Sequence, residues 1–275
     1  MFKEPMLAAT LKDLQILPGQ YHAEEKFDGH RLIVEVSSKW DLFGHPNVTA
    51  WSRNAIGRIL PRHVREELVK LPPGTYDGEL IVPGGHSFGV TELSNADTLV
   101  YVLFDVLELD GMGNDVTSYR YLERREMLQQ IASRLQLPNG GLHLAVSTPV
   151  DSMEETIALR DAVWARNGEG LILKHVDSPY EVGKRSKAWR KIKQLKTAVL
   201  KVIGYHNGKL GPHSVLKLED PEGNQTTVKW KDYTELDRLD ADPESFIGRE
   251  LRIEFQDRTP DGSYRHPRWD RWENE

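Results

Sequence analysis

Hydrophobic and polar positions alternate in short bursts along most of this chain, and longer helical spacing is confined to a few stretches. The segments Tyr21–Phe27 and Arg31–Val36 alternate on either side of Asp28-Gly29, a tight-turn pair, and are predicted as two strands meeting there. Strands are expected again at 75–82 and at 99–108, the second rich in Val, Leu, Tyr and Phe. A short helix is predicted after Pro61, because proline suits a first helical position. Over 118–135, Leu128, Ile131, Ala132 and Leu135 recur at helical spacing. Another helix is predicted over 153–166, where Ser152 and Glu155 make a capping-box start and Gly168 a stop. Strands at 170–174 and 188–195 complete this part of the pattern.

From about residue 197 the character changes. Runs at 198–205, 213–219 and 225–230 alternate apolar and polar residues and are split by turn signals such as Pro221-Glu222-Gly223. A short helix near 232–240 and a last strand at 249–256 follow. Several short strands with one helix suit an OB-type barrel. The fold class expected is α+β: a mixed core of antiparallel sheets and helices at 1–196, then an OB-fold β-barrel at 197–275. No internal repeat, low-complexity tract or long linker interrupts it.

Composition narrows the classes. A chain of 275 residues is long enough for one large domain or two ordinary ones. No apolar run approaches the roughly 18 residues needed to cross a bilayer, so no membrane partner is expected. Met1-Phe2-Lys3-Glu4-Pro5 lacks the basic-then-apolar pattern of a signal peptide. The absence of cysteine excludes disulfides, thiolate catalysis and Cys-based zinc sites, and fits a cytosolic protein. A net charge of −6 opposes nucleic-acid binding only if it is spread evenly. It is not: Lys184, Arg185, Lys187, Arg190, Lys191, Lys193 and Lys196 crowd one segment, with Trp189 interleaved and no matching acidic run. Such a strip can neutralise DNA phosphates.

The most informative segment is Glu24-Glu25-Lys26-Phe27-Asp28-Gly29-His30-Arg31. A lysine at a strand end beside a tight turn can project its amine from a fixed backbone toward a ligand. Alone, that pattern most often marks a solvated surface lysine. Further segments follow in order: Met6-Leu7-Ala8 before it, then Trp51-Ser52-Arg53-Asn54, Tyr76-Asp77-Gly78-Glu79-Leu80, Leu103-Phe104-Asp105-Val106, Glu169-Gly170-Leu171-Ile172-Leu173-Lys174 and Trp189-Arg190-Lys191-Ile192-Lys193. Together they resemble the motifs of the covalent nucleotidyltransferase superfamily of ATP-dependent DNA ligases, RNA ligases and messenger-RNA capping enzymes. The resemblance covers nearly the whole chain and implies an adenylyltransferase (ATP-grasp-like) core. It implies that Lys26 is the nucleophile, that Arg53 contacts ribose or phosphates, that Glu79 holds the ribose and that Phe104 stacks on adenine. By the same likeness Lys191 and Lys193 grip the α-phosphate, Arg31 joins the ATP site, and Glu24 accepts from the adenine amine. Glu169, with Glu79 or Asp28, offers the hard oxygen ligands that suit Mg²⁺, for which Mn²⁺ is a possible substitute. The residue types make sense chemically, since a lysine attacks phosphorus only as the neutral amine and neighbouring cations favour that form.

Within the superfamily, Thr259-Pro260-Asp261-Gly262-Ser263-Tyr264-Arg265-His266-Pro267-Arg268 resembles the OB-domain signature of bacterial and bacteriophage ATP-dependent DNA ligases. The expected function is therefore ATP-dependent sealing of 5′-phosphate/3′-hydroxyl nicks in duplex DNA through a lysyl-AMP. Lys184, Arg185, Lys187, Arg190, Arg265 and Arg268 are the expected DNA contacts. A small phage-type or accessory bacterial enzyme is expected, monomeric, in bacterial or phage-infected host cytoplasm. The lack of an N-terminal DNA-binding domain and of zinc-finger cysteines points away from the large NAD⁺-dependent ligases. The rivals are an RNA ligase or capping-type enzyme, and a nucleic-acid-binding protein without catalysis. One departure stands out: after Arg271 the chain reads Trp272-Glu273-Asn274-Glu275, where the family carries a further Arg and Lys. Acidic groups there would repel a triphosphate that approached them.

Overall fold

The computed structural model describes residues 2–11, 16, 18–40, 46–110, 114–209, 211–230, 241–259 and 261–273. The chain divides into two compact units, Met1–Ile192 and Lys193–Glu275. The helix expected near 232–240 lies outside the described residues.

The first unit is built on two sheets. Strands β1 (Leu7–Thr10), β2 (Tyr21–Glu25), β3 (His30–Trp40), β4 (Pro46–Ser52), β5 (Gly74–Ile81), β6 (Val100–Leu109), β7 (Asn114–Asp115), β8 (Leu142–Leu144), β9 (Ser147–Val150), β10 (Gly170–His175) and β11 (Arg185–Lys193) supply them. One sheet has the order β1-β11-β10-β2-β9; the other runs β4-β3-β5-β6-β7, with β8 added beside β6. β1–β11 and β6–β8 pair in parallel, whereas β2–β9, β2–β10, β3–β4, β3–β5, β5–β6 and β6–β7 are antiparallel. The hairpin expected around Asp28-Gly29 does not form. β2 pairs with β9 and β10, β3 pairs with β4 and β5, and residues 26–29 carry the chain from one sheet to the other. Gly29 is there for closeness rather than for a left-handed turn: a Cβ on it would lie 2.3 Å from the Leu80 carbonyl oxygen.

Strand alternation sorts side chains to opposite faces. On the β2–β10 sheet, Ala23, Leu171, Leu173 and the partly buried Ile192 pack with Val163 of the helix α3 (Met153–Ala165). The opposite face, with Ile172 and Trp189, packs toward Val100, Val102 and Phe104 of β6. The far side of the second sheet (Leu32, Val34, Tyr76, Leu80, Tyr101, Leu103) is covered by Val64 and Leu68 of α1 (Arg62–Leu68) and by Leu128 and Ile131 of α2 (Tyr121–Leu135). The polar side chains of alternate positions are thereby turned into the space between the sheets.

Helix ends follow local chemistry. Ser152 Oγ accepts from the Glu155 amide at 3.1 Å, while the Glu155 carboxylate reaches back to the Asp151 amide at 2.9 Å. The expected Gly168 stop is displaced: Asn167 takes the left-handed conformation, φ 62°. Gly168 is needed for packing instead, since a Cβ would come within 2.4 Å of Val163 Cγ1. Among the described residues no helix is long and apolar enough to span a membrane.

The second unit is a five-stranded antiparallel sheet of β12 (Lys196–Gly208), β13 (Gly211–Glu219), β14 (Gln225–Lys229), β15 (Glu250–Phe255) and β18 (Arg268–Trp272), in the order β14-β13-β12-β15-β18. A short hairpin, β16 (Asp257–Arg258) with β17 (Tyr264–Arg265), is attached. Among the described residues no ladder joins β14 to β18, so the sheet is not closed into a barrel. Its core is Leu200, Leu216, Leu218, Leu251 and Ile253 under a cap of Trp230, Phe246 and Trp272. Asp220 ties the 220–224 turn to the hairpin by accepting from Arg258 Nη2 at 2.7 Å and from the Tyr264 hydroxyl at 2.8 Å.

Candidate active site

Lys26 follows directly on β2, and its amide donates to the Gly170 carbonyl at 2.9 Å. The side chain therefore leaves a backbone fixed to β10, and its Nζ donates to Glu169 Oε2 at 2.5 Å. Both side chains keep some solvent access. Across the seam, β3 and β5 place Arg31 opposite Glu79. Glu79 lies within electrostatic reach of Lys26, Arg31, Asp77 and Glu169, and desolvation pushes its carboxyl up to about 7 against the pull of Arg31 and Lys26. These groups form one constellation between the sheets.

Arg31 is committed to a fork with Asp77, Nε to Oδ1 and Nη2 to Oδ2, both 2.5 Å, and it also donates to the Met6 carbonyl at 3.2 Å. Asp77 is fully buried and also accepts from the Tyr180 hydroxyl at 2.5 Å. Burial would push the Arg31 pKa down, but Asp77 reverses this and raises it. Arg31 lies 4.6 Å above the Phe104 ring, and Trp189 meets that ring edge-on at 6.4 Å. Glu24 is buried, with Oε1 taken by the Tyr121 hydroxyl at 2.6 Å and Oε2 by Lys174 Nζ at 2.7 Å. Asp28 faces His86 Nδ1 at 3.3 Å. Lys191 and Lys193 flank Ile192, which packs on the α3 side, so alternation turns both lysines to the face that carries Trp189 and Ile172. Arg53 is exposed one residue beyond the Ser52–Leu32 pair, on a turn that borders a shallow cleft with Phe2, Glu4 and Gly183.

The basic strip splits by the same alternation. Lys184, Arg185 and Lys187 are exposed, whereas Trp189 is 2 % exposed and belongs to the core. Interleaved among the cations in sequence, Trp189 is turned away from them into the core. Arg190 is only part-exposed, with Nε cut off from solvent. Lys196 is paired with Asp257 at 2.8 Å. In the second unit Arg268 is exposed and Arg265 half-buried. Glu273 is bonded to Arg252, Nε to Oε2 at 2.8 Å, so the expected repulsion from this carboxylate is answered by a guanidinium. Three partners carry no role in the sequence: Asp77 and Lys174, which stand inside motifs, and Tyr121, which stands in none. Lys174 and Asp77 carry a legible signal, charged residues at alternate positions of otherwise apolar strands.

For a divalent cation the donor set is sparse. Among the described residues no three His, Asp or Glu side chains converge. One or two carboxylates completed by substrate phosphates and water is the arrangement that suits Mg²⁺, and Glu169 with Glu79 can supply it.

The family model for the ATP dependent DNA ligase domain matches residues 5–193. The chain belongs to that family. It is 30% identical over 222 residues to the SPbeta prophage-derived DNA ligase-like protein LigB of Bacillus subtilis, covering 74% of this chain and 72% of that one. It is 27% identical over 301 residues to the multifunctional non-homologous end joining protein LigD of Mycolicibacterium smegmatis, covering 96% of this chain and 37% of the relative. The LigD proteins are much longer, and the chain spans about two fifths of their length. In fold it matches a solved Lig E DNA ligase, with a TM-score of 0.72 at 22% identity over 99% of this chain and 100% of that one.

Proposed function

We propose that this chain is an ATP-dependent DNA ligase that seals 5′-phosphate/3′-hydroxyl nicks in duplex DNA through AMP held on Lys26. The observation that carries the reading is the Lys26 amine, rooted where the two sheets meet and in contact with Glu169, with Glu79 close by. Glu169 Oε2 is the nearest acceptor for the proton that the amine must lose before attacking the α-phosphate. Lys191 and Lys193, on the cleft face, neutralise charge on that phosphate as pyrophosphate leaves. The AMP then passes to the 5′-phosphate of the nick, and the adjacent 3′-hydroxyl displaces it. Mg²⁺, or Mn²⁺ in its place, would be held by Glu169 and Glu79 and would neutralise phosphate oxygens. Phe104 and Glu24 form the base end of the site, and Arg53 and Arg31 its ribose and phosphate side. Asp28 is a further carboxylate within the same segment.

DNA would lie on Lys184, Arg185 and Lys187, with Arg265 and Arg268 contributed by an OB-type unit at 197–275 and Arg190 in a lesser part. A monomer in the cytoplasm suits this role. Intact mass after incubation with ATP and Mg²⁺, following pyrophosphate treatment to strip bound AMP, tests the chemistry. One added AMP that is lost in Lys26→Ala supports it; an unmodified wild type refutes it.

A further inference from the structure

Lys174 takes no part in the steps above, yet it sits at the base of the cleft with 1 % exposure. Its Nζ donates to Glu24 Oε2 at 2.7 Å and to the Phe104 carbonyl at 3.0 Å. The same ammonium lies 4.9 Å from the ring centroid of Phe104, 5.1 Å from that of Tyr121 and 4.3 Å from that of Trp189. One cation thus ties β10 and β2 of one sheet to β6 of the other. It does so through the carboxylate and the aromatic residue that form the base end of the site. A lysine this deep is costly unless its partners are in contact, so its retention calls for a task.

Glu24 is held on both sides. The Tyr121 hydroxyl donates to Oε1 at 2.6 Å and lies 2.7 Å from Ser147 Oγ. Arg125 stands close enough to act electrostatically on Tyr121 and Lys174; it is buried, its Nη2 donates to the Ala145 carbonyl at 2.6 Å, and its Nε and Nη1 meet no hydrogen-bond partner among the described residues. The two carboxylate oxygens thus have separate donors, Tyr121 on Oε1 and Lys174 on Oε2. Each oxygen keeps a lone pair beyond those used by Lys174 and Tyr121.

We propose that Lys174 is the positioning residue for reading the six-position of the purine. By holding Oε2 and the Phe104 carbonyl together it fixes the Glu24 carboxylate relative to the Phe104 ring, so a 6-amino group is accepted and a 6-oxo group refused. This rests on the reading that Lys26 takes a nucleotide whose base meets Glu24 and Phe104. Without the Lys174 ammonium, Oε2 loses its donor and the carboxylate can turn away from the Phe104 ring, so the distinction between a 6-amino and a 6-oxo group narrows.

The test is self-adenylation under single-turnover conditions, followed by intact mass, with ATP and with inosine triphosphate, which carries a 6-oxo group. The wild type should favour ATP by a factor on the order of 10³, as expected of a site built to pair with an amine. Lys174→Met should lose about 100-fold with ATP, mainly in KM, and no more than about threefold with the inosine nucleotide, narrowing the preference. A purely structural role would lower both nucleotides equally, and that result, or an unchanged preference, overturns the proposal. Should Lys174→Met fail to fold, Tyr121→Phe decides: it removes the one hydroxyl shared by Glu24 and Ser147 and should narrow the preference about tenfold, whereas an unaltered preference refutes the inference. A wild type that takes up neither nucleotide overturns the Lys26 reading itself, and this inference with it.

Discussion

Glu79→Gln should make the protein more stable at alkaline pH while impairing its chemistry. The carboxyl is held at about 7 rather than 4.5, chiefly because burial disfavours the charged form. At ~1.4 kcal/mol per pH unit, that rise corresponds to at most ~3.4 kcal/mol of destabilisation once the group is fully ionised. Glu79 keeps some solvent exposure, so screening reduces this to ~2 kcal/mol. The sign follows from linkage. A raised acid pKa leaves stability intact below pH 4.5 and erodes it as pH climbs through about 7. Glutamine cannot ionise and escapes that loss. The assay is thermal unfolding of both proteins at pH 4 and pH 8.5. Nearly equal midpoints are expected at about pH 4, and at pH 8.5 the variant should melt ~4–8 °C higher, since ~1 kcal/mol moves a unit of this size by ~2–4 °C. Self-adenylation should fall in the same variant. A midpoint difference that is the same at both pH values would refute the account, because only a titrating carboxylate makes the gain depend on pH.

The remaining expectations concern packing and charge. Gly29→Ala places a methyl 2.3 Å from the Leu80 carbonyl oxygen, so it should displace the Lys26 segment, cost ~1–3 kcal/mol, and reduce AMP labelling more than global stability alone explains. Asp77→Asn removes the partner of Arg31 at a fully buried position; breaking such a pair costs ~3 kcal/mol or more, and calorimetry should show a drop of at least ~6 °C. Replacing Lys184, Arg185 and Lys187 by alanine should lower the slope of log affinity for nicked DNA against log salt by ~2–3, with labelling by ATP unchanged. Glu273→Ala should leave the adenylation rate within about twofold and the melting temperature little changed, because the carboxylate faces Arg252 in a part-exposed pair. A large rise in adenylation would instead restore Glu273 as a repulsive group.

The elements were legible where period and length agreed, and the site was legible where motifs named residue types. α2 matches its periodic stretch because its buried face repeats every three or four residues, and α3 was legible from the Ser152 and Glu155 start. Residues 26–29 misled because a tight-turn pair between two alternating runs looks the same whether the runs pair with each other or with strands elsewhere. The partners that β2 and β3 take, all of them remote in sequence from the turn, distinguish the two. β1, β8 and β9 went unseen because each is four residues or fewer. Lys26, Glu169 and Glu79 were named from the chain and do come together. The buried partners of Glu24 and Arg31 were not, since nothing in the spacing of Tyr121, Lys174 or Asp77 says which strand each will face.

The root of Lys26 is pinned twice, by its amide on the Gly170 carbonyl and, three residues on, by a glycine wedged against Leu80. With so little slack, the main chain cannot follow a phosphate from one partner to the next. The reach of this nucleophile is the swing of four methylenes, and whatever it serves has to be brought within that arc.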